Sequence, residues 1–331
     1  MMTLSAAYLP KRLRRLRMTT QLRDLVRETE VNIKDLVLPL FIKDNIPNKI
    51  AISSMPGHYQ IPIDCLQREI DEILELGISS VLLFGIPSKK DALGSESYNE
   101  DGIIQRATRC IKSYSNDILV IADACFCEYT DHGHCGVFND KEMLDNDQTL
   151  YLLQKQALSF AQAGADIIAP SGMLDGMVAC IRTILDEYNF EHVPILSYAV
   201  KYASSMYGPF RQAAEGSPSF GDRRTHQMDP CNALEAIREA KADIDEGADL
   251  LMVKPAHTYL DVIRRLKDNF SDIPLAAYHT SGEFSMIKAA SQRGYLDENQ
   301  AFFEVLTSIK RAGADIIITY WAKEFAKLFN S

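Results

Sequence analysis

The chain has 331 residues, with 47 % hydrophobic and 24 % charged side chains, the balance of an ordinary soluble globular protein and enough for one large α/β domain. Lys plus Arg number 35 and Asp plus Glu 45, a net charge of −10, which argues against nucleic acid or an anionic membrane as partner. No apolar run approaches the roughly eighteen residues of a membrane span, and the basic start MMTLSAAYLPKRLRRLRMTT lacks the apolar centre of a secretory signal.

Residues 1–30 read as an arm outside the main domain. Beyond them, eight apolar runs are predicted as strands: 37–42, 80–85, 119–125, 166–171, 194–201, 249–256, 274–281 and 315–321. A short pattern marks several of them. AGADIIAP (163–170), EGADLLMV (246–253) and AGADIIIT (312–319) each place a Gly after a helix-period stretch, then a run of branched apolar residues. The Gly suits the left-handed residue that closes a helix, and the run suits a strand buried on both faces of a parallel sheet. LGISSVLL (76–83) is a looser copy. Eight βα units over 31–331 predict a (β/α)8 TIM barrel. A doubly wound sheet is the alternative, but no Gly-rich phosphate fingerprint follows the first strand.

In such a barrel the chemistry lies at the C-terminal strand ends. The third strand leads into DACFCEYTDHGHCG, with Asp123, Cys125, Cys127 and Cys135. Strand alternation is expected to put 123, 125 and 127 on one face. The chain has seven cysteines, and three clustered thiols suit a metal site better than a disulfide scaffold. Soft thiolates favour zinc, and three protein ligands leave a fourth position open for chemistry. His132 and His134 are read as shaping the loop. The fifth and sixth strands end in Lys201 and Lys254, each amid apolar residues. A buried amine favours its neutral form, the form that attacks a ketone to give a Schiff base. Two such lysines imply two carbonyl substrates, whereas an aldolase needs one.

Residues 203–230 form a long loop after the fifth strand, read as a lid that carries Arg211, Arg223 and Arg224. Arginines there suit carboxylates. Ser281 and Tyr320, at the last two strand ends, offer hydroxyls for a second carboxylate. The residues together describe a barrel enzyme that joins small keto acids. A class I aldolase and a non-enzymatic zinc-stabilised barrel are the rival readings.

Five stretches, DACFCEYTDHGHCG, SYAVKYASSMYGPFR, GDRRTHQMDP, LMVKPAHTYLD and TSGEF, occur in one order along nearly the whole chain, and in this it resembles the porphobilinogen synthases, or 5-aminolevulinate dehydratases. The resemblance implies a lyase of haem and porphyrin biosynthesis that condenses two molecules of 5-aminolevulinate, with loss of two waters. It implies a Schiff base on Lys254 for the substrate whose carboxylate Ser281 and Tyr320 hold. It implies another on Lys201, with Arg211, Arg223 and Gln227 on the second carboxylate. Cys125, Cys127 and Cys135 would be the zinc ligands, Asp123 a proton carrier, and Glu239 the position of an allosteric magnesium. A cytoplasmic homo-octamer joined by the N-terminal arms is the implied assembly. Asp131, Phe284 and Trp321 depart from the commonest family residues at positions without a proposed catalytic role.

Overall fold

The computed structural model describes residues 11–141 and 143–329. Ten strands run in chain order: β1 (Leu36–Lys43), β2 (Ile50–Ala51), β3 (Tyr59–Ile61), β4 (Ser80–Ile86), β5 (Leu119–Ala124), β6 (Ile167–Pro170), β7 (Leu196–Lys201), β8 (Leu250–Lys254), β9 (Leu275–His279) and β10 (Ile316–Thr319). The helices are α1 (Thr20–Leu25), α2 (Leu66–Glu75), α3 (Ile103–Tyr114), α4 (Asn146–Gln162), α5 (Met177–Glu187), α6 (Gly208–Ala213), α7 (Glu235–Asp245), α8 (Leu260–Asn269), α9 (Ser281–Gln292), α10 (Glu298–Ala312) and α11 (Ala322–Phe329).

Eight strands are parallel neighbours in the order β6-β5-β4-β1-β10-β9-β8-β7. A parallel bridge between Ile168 and Ile195 joins β6 to the approach of β7 and closes the circle, with the Ile168 N–H on the Pro194 carbonyl at 3.2 Å. This is the predicted (β/α)8 barrel. All eight predicted runs are strands, with no end moved by more than two residues. The two extra strands form a hairpin inserted after β1, with β3 alongside β1. Among the described residues no helix is long and apolar enough to cross a membrane.

The repeated Gly-Ala-Asp motif explains how the strands are set. Gly164 and Gly313 follow α4 and α10 with φ +95° and +123°, backbone that L-residues rarely adopt. The Asp two residues later then reaches the preceding strand. Asp166 accepts from the Val120 N–H at 2.7 Å, Asp249 from Ile195 at 2.8 Å and Asp315 from Leu275 at 2.8 Å. Lys112 on α3 and Lys267 on α8 pair with Asp166 and Asp315. Each repeat thus fixes the register of two adjacent strands at the barrel floor.

The strands are buried along almost their whole length. One irregularity bears on the site. Between Ser197 and Val200 the pairing of β7 with β8 slips, placing one extra residue in β7. Ser197 points out to Asp243 on α7, while Tyr198 and Lys201, three apart, face each other inside, with Lys201 Nζ 5.5 Å from the Tyr198 ring centroid. The predicted arm, residues 1–30, lies partly outside the described residues. Over 11–30 it contains a 3-10 turn (Leu13–Arg17) and α1, neither with a buried side chain.

Candidate active site

Lys201 and Lys254 are the last residues of β7 and β8 and stand directly opposite in the strand register. Both are about 95 % buried. Lys254 Nζ sits in a cage of rings: 4.1 Å from the centroid of Tyr278, 5.0 Å from Tyr198, 5.1 Å from Phe210 and 5.4 Å from Tyr207. Burial, reinforced by the charge of Lys201, lowers its pKa from the usual 10.5 to about 7. Lys201 Nζ donates to the Ser171 carbonyl, in the loop after β6.

Asp123, one residue before the end of β5, is buried beside both lysines, and its Oδ2 accepts from Ser171 Oγ at 3.0 Å. Burial, with the neighbouring Glu128 and Cys125, pushes its carboxyl up. Asp123 therefore holds a proton near neutral pH at the spot where the lysine amines converge.

Cys125, Cys127 and Cys135 are all buried and unbridged. Their sulfurs lie within 4.8 Å of one another, Cys125 and Cys127 at 3.5 Å. Three thiolates on one tetrahedral zinc, with bonds of about 2.3 Å, would stand about 3.8 Å apart, so the donor set fits that ion. Hydrogen bonds from Cys125 and Cys127 pull the Cys135 thiol well down, while its bonds to the other two sulfurs push Cys127 up. The alternation argument for these residues does not hold. β5 stops at Ala124, and Cys125 and Cys127 lie in the turn beyond it. They meet because the loop folds back, with the Tyr129 and Thr130 N–H groups both on the Phe126 carbonyl. His134 does shape the loop, its Nε2 bonding the Phe220 carbonyl at 2.9 Å.

Ser281 opens α9 and Tyr320 follows β10; both are buried. Ser281 Oγ accepts from the Phe210 N–H at 2.9 Å, and Tyr320 meets the Tyr278 hydroxyl at 3.0 Å. Each is thus one residue removed from the Lys254 cage. The predicted lid is not structureless, since it contains a 3-10 turn (Ser205–Tyr207) and α6. Arg211, on α6, is half-buried and Arg223 about 95 % buried. Burial draws the Arg223 guanidinium down, but the three facing thiols outweigh it and hold its pKa up. Gln227 is buried with neither amide atom bonded, and Arg223 Nε and Arg211 Nε are likewise unpaired. Buried polar atoms in that state mark a place for a polar ligand. Arg224 is exposed, beside Asp222.

One small pocket is lined by Lys201, Lys254, Asp123, Cys127, Arg223 and Phe210, among others. Glu239 is not part of it. It lies on α7 in a separate wide cleft that holds none of the lysines or cysteines. Burial and the nearby Glu235 raise its carboxyl, and among the described residues only the three cysteines are close enough to chelate a metal together. Sequence reasoning missed Tyr198, Tyr278, Phe210, Ser171 and Glu128. The last is buried beside Cys127, its Oε2 accepting from that thiol at 3.2 Å.

Residues 10–328 match the family model described as Delta-aminolevulinic acid dehydratase. The Delta-aminolevulinic acid dehydratase of Halalkalibacterium halodurans is 55 % identical over 320 residues, 97 % of each chain. That of Staphylococcus aureus is 52 % identical over 318 residues, 96 % of this chain and 98 % of its own. The crystal structure of delta-aminolevulinic acid dehydratase (porphobilinogen synthase) from Toxoplasma gondii, in complex with the reaction product porphobilinogen, superposes with a TM-score of 0.94 at 43 % identity. That alignment covers 97 % of this chain and 92 % of the other.

Proposed function

Since the chain belongs to the delta-aminolevulinic acid dehydratase family, we infer that it condenses two molecules of 5-aminolevulinate to porphobilinogen through Schiff bases on Lys254 and Lys201. The observation that carries this reading is the pair of buried lysines side by side at adjacent strand ends, facing a pocket that Asp123 and Cys127, one of the three clustered thiols, also line. Lys254, with a substantial neutral fraction near pH 7, attacks the keto carbon of one substrate. Ser281 and Tyr320 hold that molecule's carboxylate. Lys201 takes the second substrate, whose carboxylate is received by Arg211, Arg223 and Gln227, which have unbonded atoms to offer. Asp123, protonated in its buried setting, gives its proton to the carbinolamine oxygen so that water can leave.

Cys125, Cys127 and Cys135 would hold zinc, which supplies a Lewis acid for the oxygen or amine of the second substrate. Zinc use is supported by the three retained thiols and their spacing. Glu239 is the proposed magnesium position, supported by its raised carboxyl, which a nearby cation would relieve. The family reading also makes the enzyme a cytoplasmic homo-octamer of haem biosynthesis held by its arms. Leu13 and Leu25, 77 % and 81 % exposed on the arm, support burial against another subunit.

The test is pyrrole formation from 5-aminolevulinate with and without a zinc chelator. Pyrrole that vanishes on chelation and returns with zinc is the expected result. Pyrrole indifferent to the chelator would sink the zinc reading. No pyrrole under any metal condition would point to an aldolase.

A further inference from the structure

The lid is anchored at one residue more firmly than its loop character suggests. Glu215, two residues past α6, has φ +51°, one of four non-glycine residues in the left-handed region among those described. An L-residue is disfavoured there, so its surroundings must hold it. Three parts of the barrel rim do so. Its Oε1 accepts from Lys43 Nζ, at the end of β1, and from Gln60 Nε2, on β3, at 3.1 Å. Its backbone carbonyl accepts from Lys90 Nζ, in the loop after β4, at 2.6 Å. Gln60 Nε2 also donates to the carbonyl of Ala213, the last residue of α6, at 2.8 Å.

The chain beyond Glu215 lies against the thiol loop. Arg223 Nη2 donates to the carbonyls of Gly216 at 2.7 Å and Gly133 at 2.8 Å. A Cβ on Gly133 would come within 2.1 Å of the Ser217 carbonyl, so the two segments are in close contact. The Gly216 carbonyl that positions Arg223 is therefore one peptide from the residue that the rim holds.

We propose that Glu215 is a latch, a positioning residue that fastens the root of the lid to the barrel rim through Lys43, Gln60 and Lys90. The latch holds Arg211, on the preceding helix, and Arg223 where they receive the second substrate's carboxylate. This second step rests on the role given to those arginines above. None of the four latch residues lines the pocket of the two lysines. Their effect is on the lid's closed state, not on the reacting atoms.

The experiment uses the full-length enzyme with Glu215→Ala, Glu215→Gly and Lys43→Met. Without substrate, trypsin cleavage after Arg224, 82 % exposed, reports lid opening. All three variants should be cut roughly tenfold faster than wild type, and Glu215→Ala/Lys43→Met no faster than Glu215→Ala alone, because losing the carboxylate already removes the bonds from both Lys43 and Gln60. Glu215→Gly relieves the backbone while removing the carboxylate. If it were as protected as wild type, strain and not the latch would govern the lid, and the proposal would fall. An unchanged cleavage rate in Glu215→Ala would overturn it too, as would a fall in Tm beyond about 3 °C with cleavage throughout the chain. Kinetically, KM should rise about three- to tenfold with kcat within twofold, and Glu215→Gln should recover part of the loss. Faster cleavage with unchanged KM would keep the latch and remove the lid arginines from substrate binding.

Discussion

Replacing Lys254 with methionine should abolish pyrrole formation and make the protein more stable. The amine makes no ion pair among the described residues: rings surround it, Lys201 repels its charge, and burial keeps the nearby Asp123 carboxyl protonated. Its pKa falls from 10.5 to about 7. At pH 7 such a depression corresponds to about 4 kcal/mol of lost stability relative to an unfolded chain, where the amine is charged and solvated. The four rings attract whatever cation remains, and Asp123 shares the titrating proton, so about 1–3 kcal/mol should be recovered by an apolar side chain of similar length. For a chain of 331 residues this is roughly 1.5–4 °C in Tm. The sign with pH follows from proton binding. Between about 7 and 10.5 the unfolded chain binds a proton at this site that the folded chain does not, so wild-type stability from this group rises with pH. The deficit is complete below pH 7 and gone near 10.5. Thermal unfolding of wild type and Lys254→Met from pH 6 to 9 should show the variant melting higher, with the gap narrowing as pH rises. A variant that melts lower at pH 6–7 would mean that Lys254 is a charged, paired lysine, since removing one partner of a buried pair costs about 3–5 kcal/mol. The reasoning about its nucleophilicity would then fail.

Tyr320→Phe removes a hydroxyl that meets only Tyr278. If it holds the carboxylate at the Lys254 side, KM should rise about tenfold, the worth of one hydrogen bond to a charged group, with little change in Tm; an unaltered KM would take Tyr320 out of substrate binding. Glu239→Gln should remove any stimulation of the zinc-loaded enzyme by added magnesium while leaving its unstimulated rate within twofold. Stimulation that persists in the variant would move the cation elsewhere.

The barrel was legible because its strands are buried on both faces and three of them, β6, β8 and β10, are announced by the same three residues. The Gly sets the helix end and the branched run sets the strand. The Asp of Asp166, Asp249 and Asp315 does a third job that spacing alone does not reveal, since its partner lies in another strand. The lysines were legible because a charged amine is out of place in apolar surroundings, and the cysteines because three of them cluster in one short stretch. The ring cage was not. Tyr198 and Tyr278 look like ordinary strand residues, and only the slip in β7 turns Tyr198 toward Lys201. The β2–β3 hairpin escaped notice because its strands are two and three residues long, too short to show a period. It is also what brings Gln60 to the root of the lid.

The two lysines share a strand register but not an environment, and the difference fits a division of labour. Lys254 Nζ faces π surfaces and makes no hydrogen bond among the described residues, which leaves its direction unanchored, as a nucleophile needs. Lys201 is tied to the Ser171 carbonyl, while the hydroxyl of the same Ser171 is donated to Asp123. One residue after β6 thus fixes both an amine and the acid that can protonate an oxygen leaving from it. The Asp123 side of the site faces Cys125 and Cys127, the side where a metal would stand. Asp123 stands beside both amines, so the proposed acid and the thiols that would hold a Lewis acid share one side of the pocket. The ring cage leaves Lys254 the less anchored of the two amines, as the proposed role of first nucleophile requires.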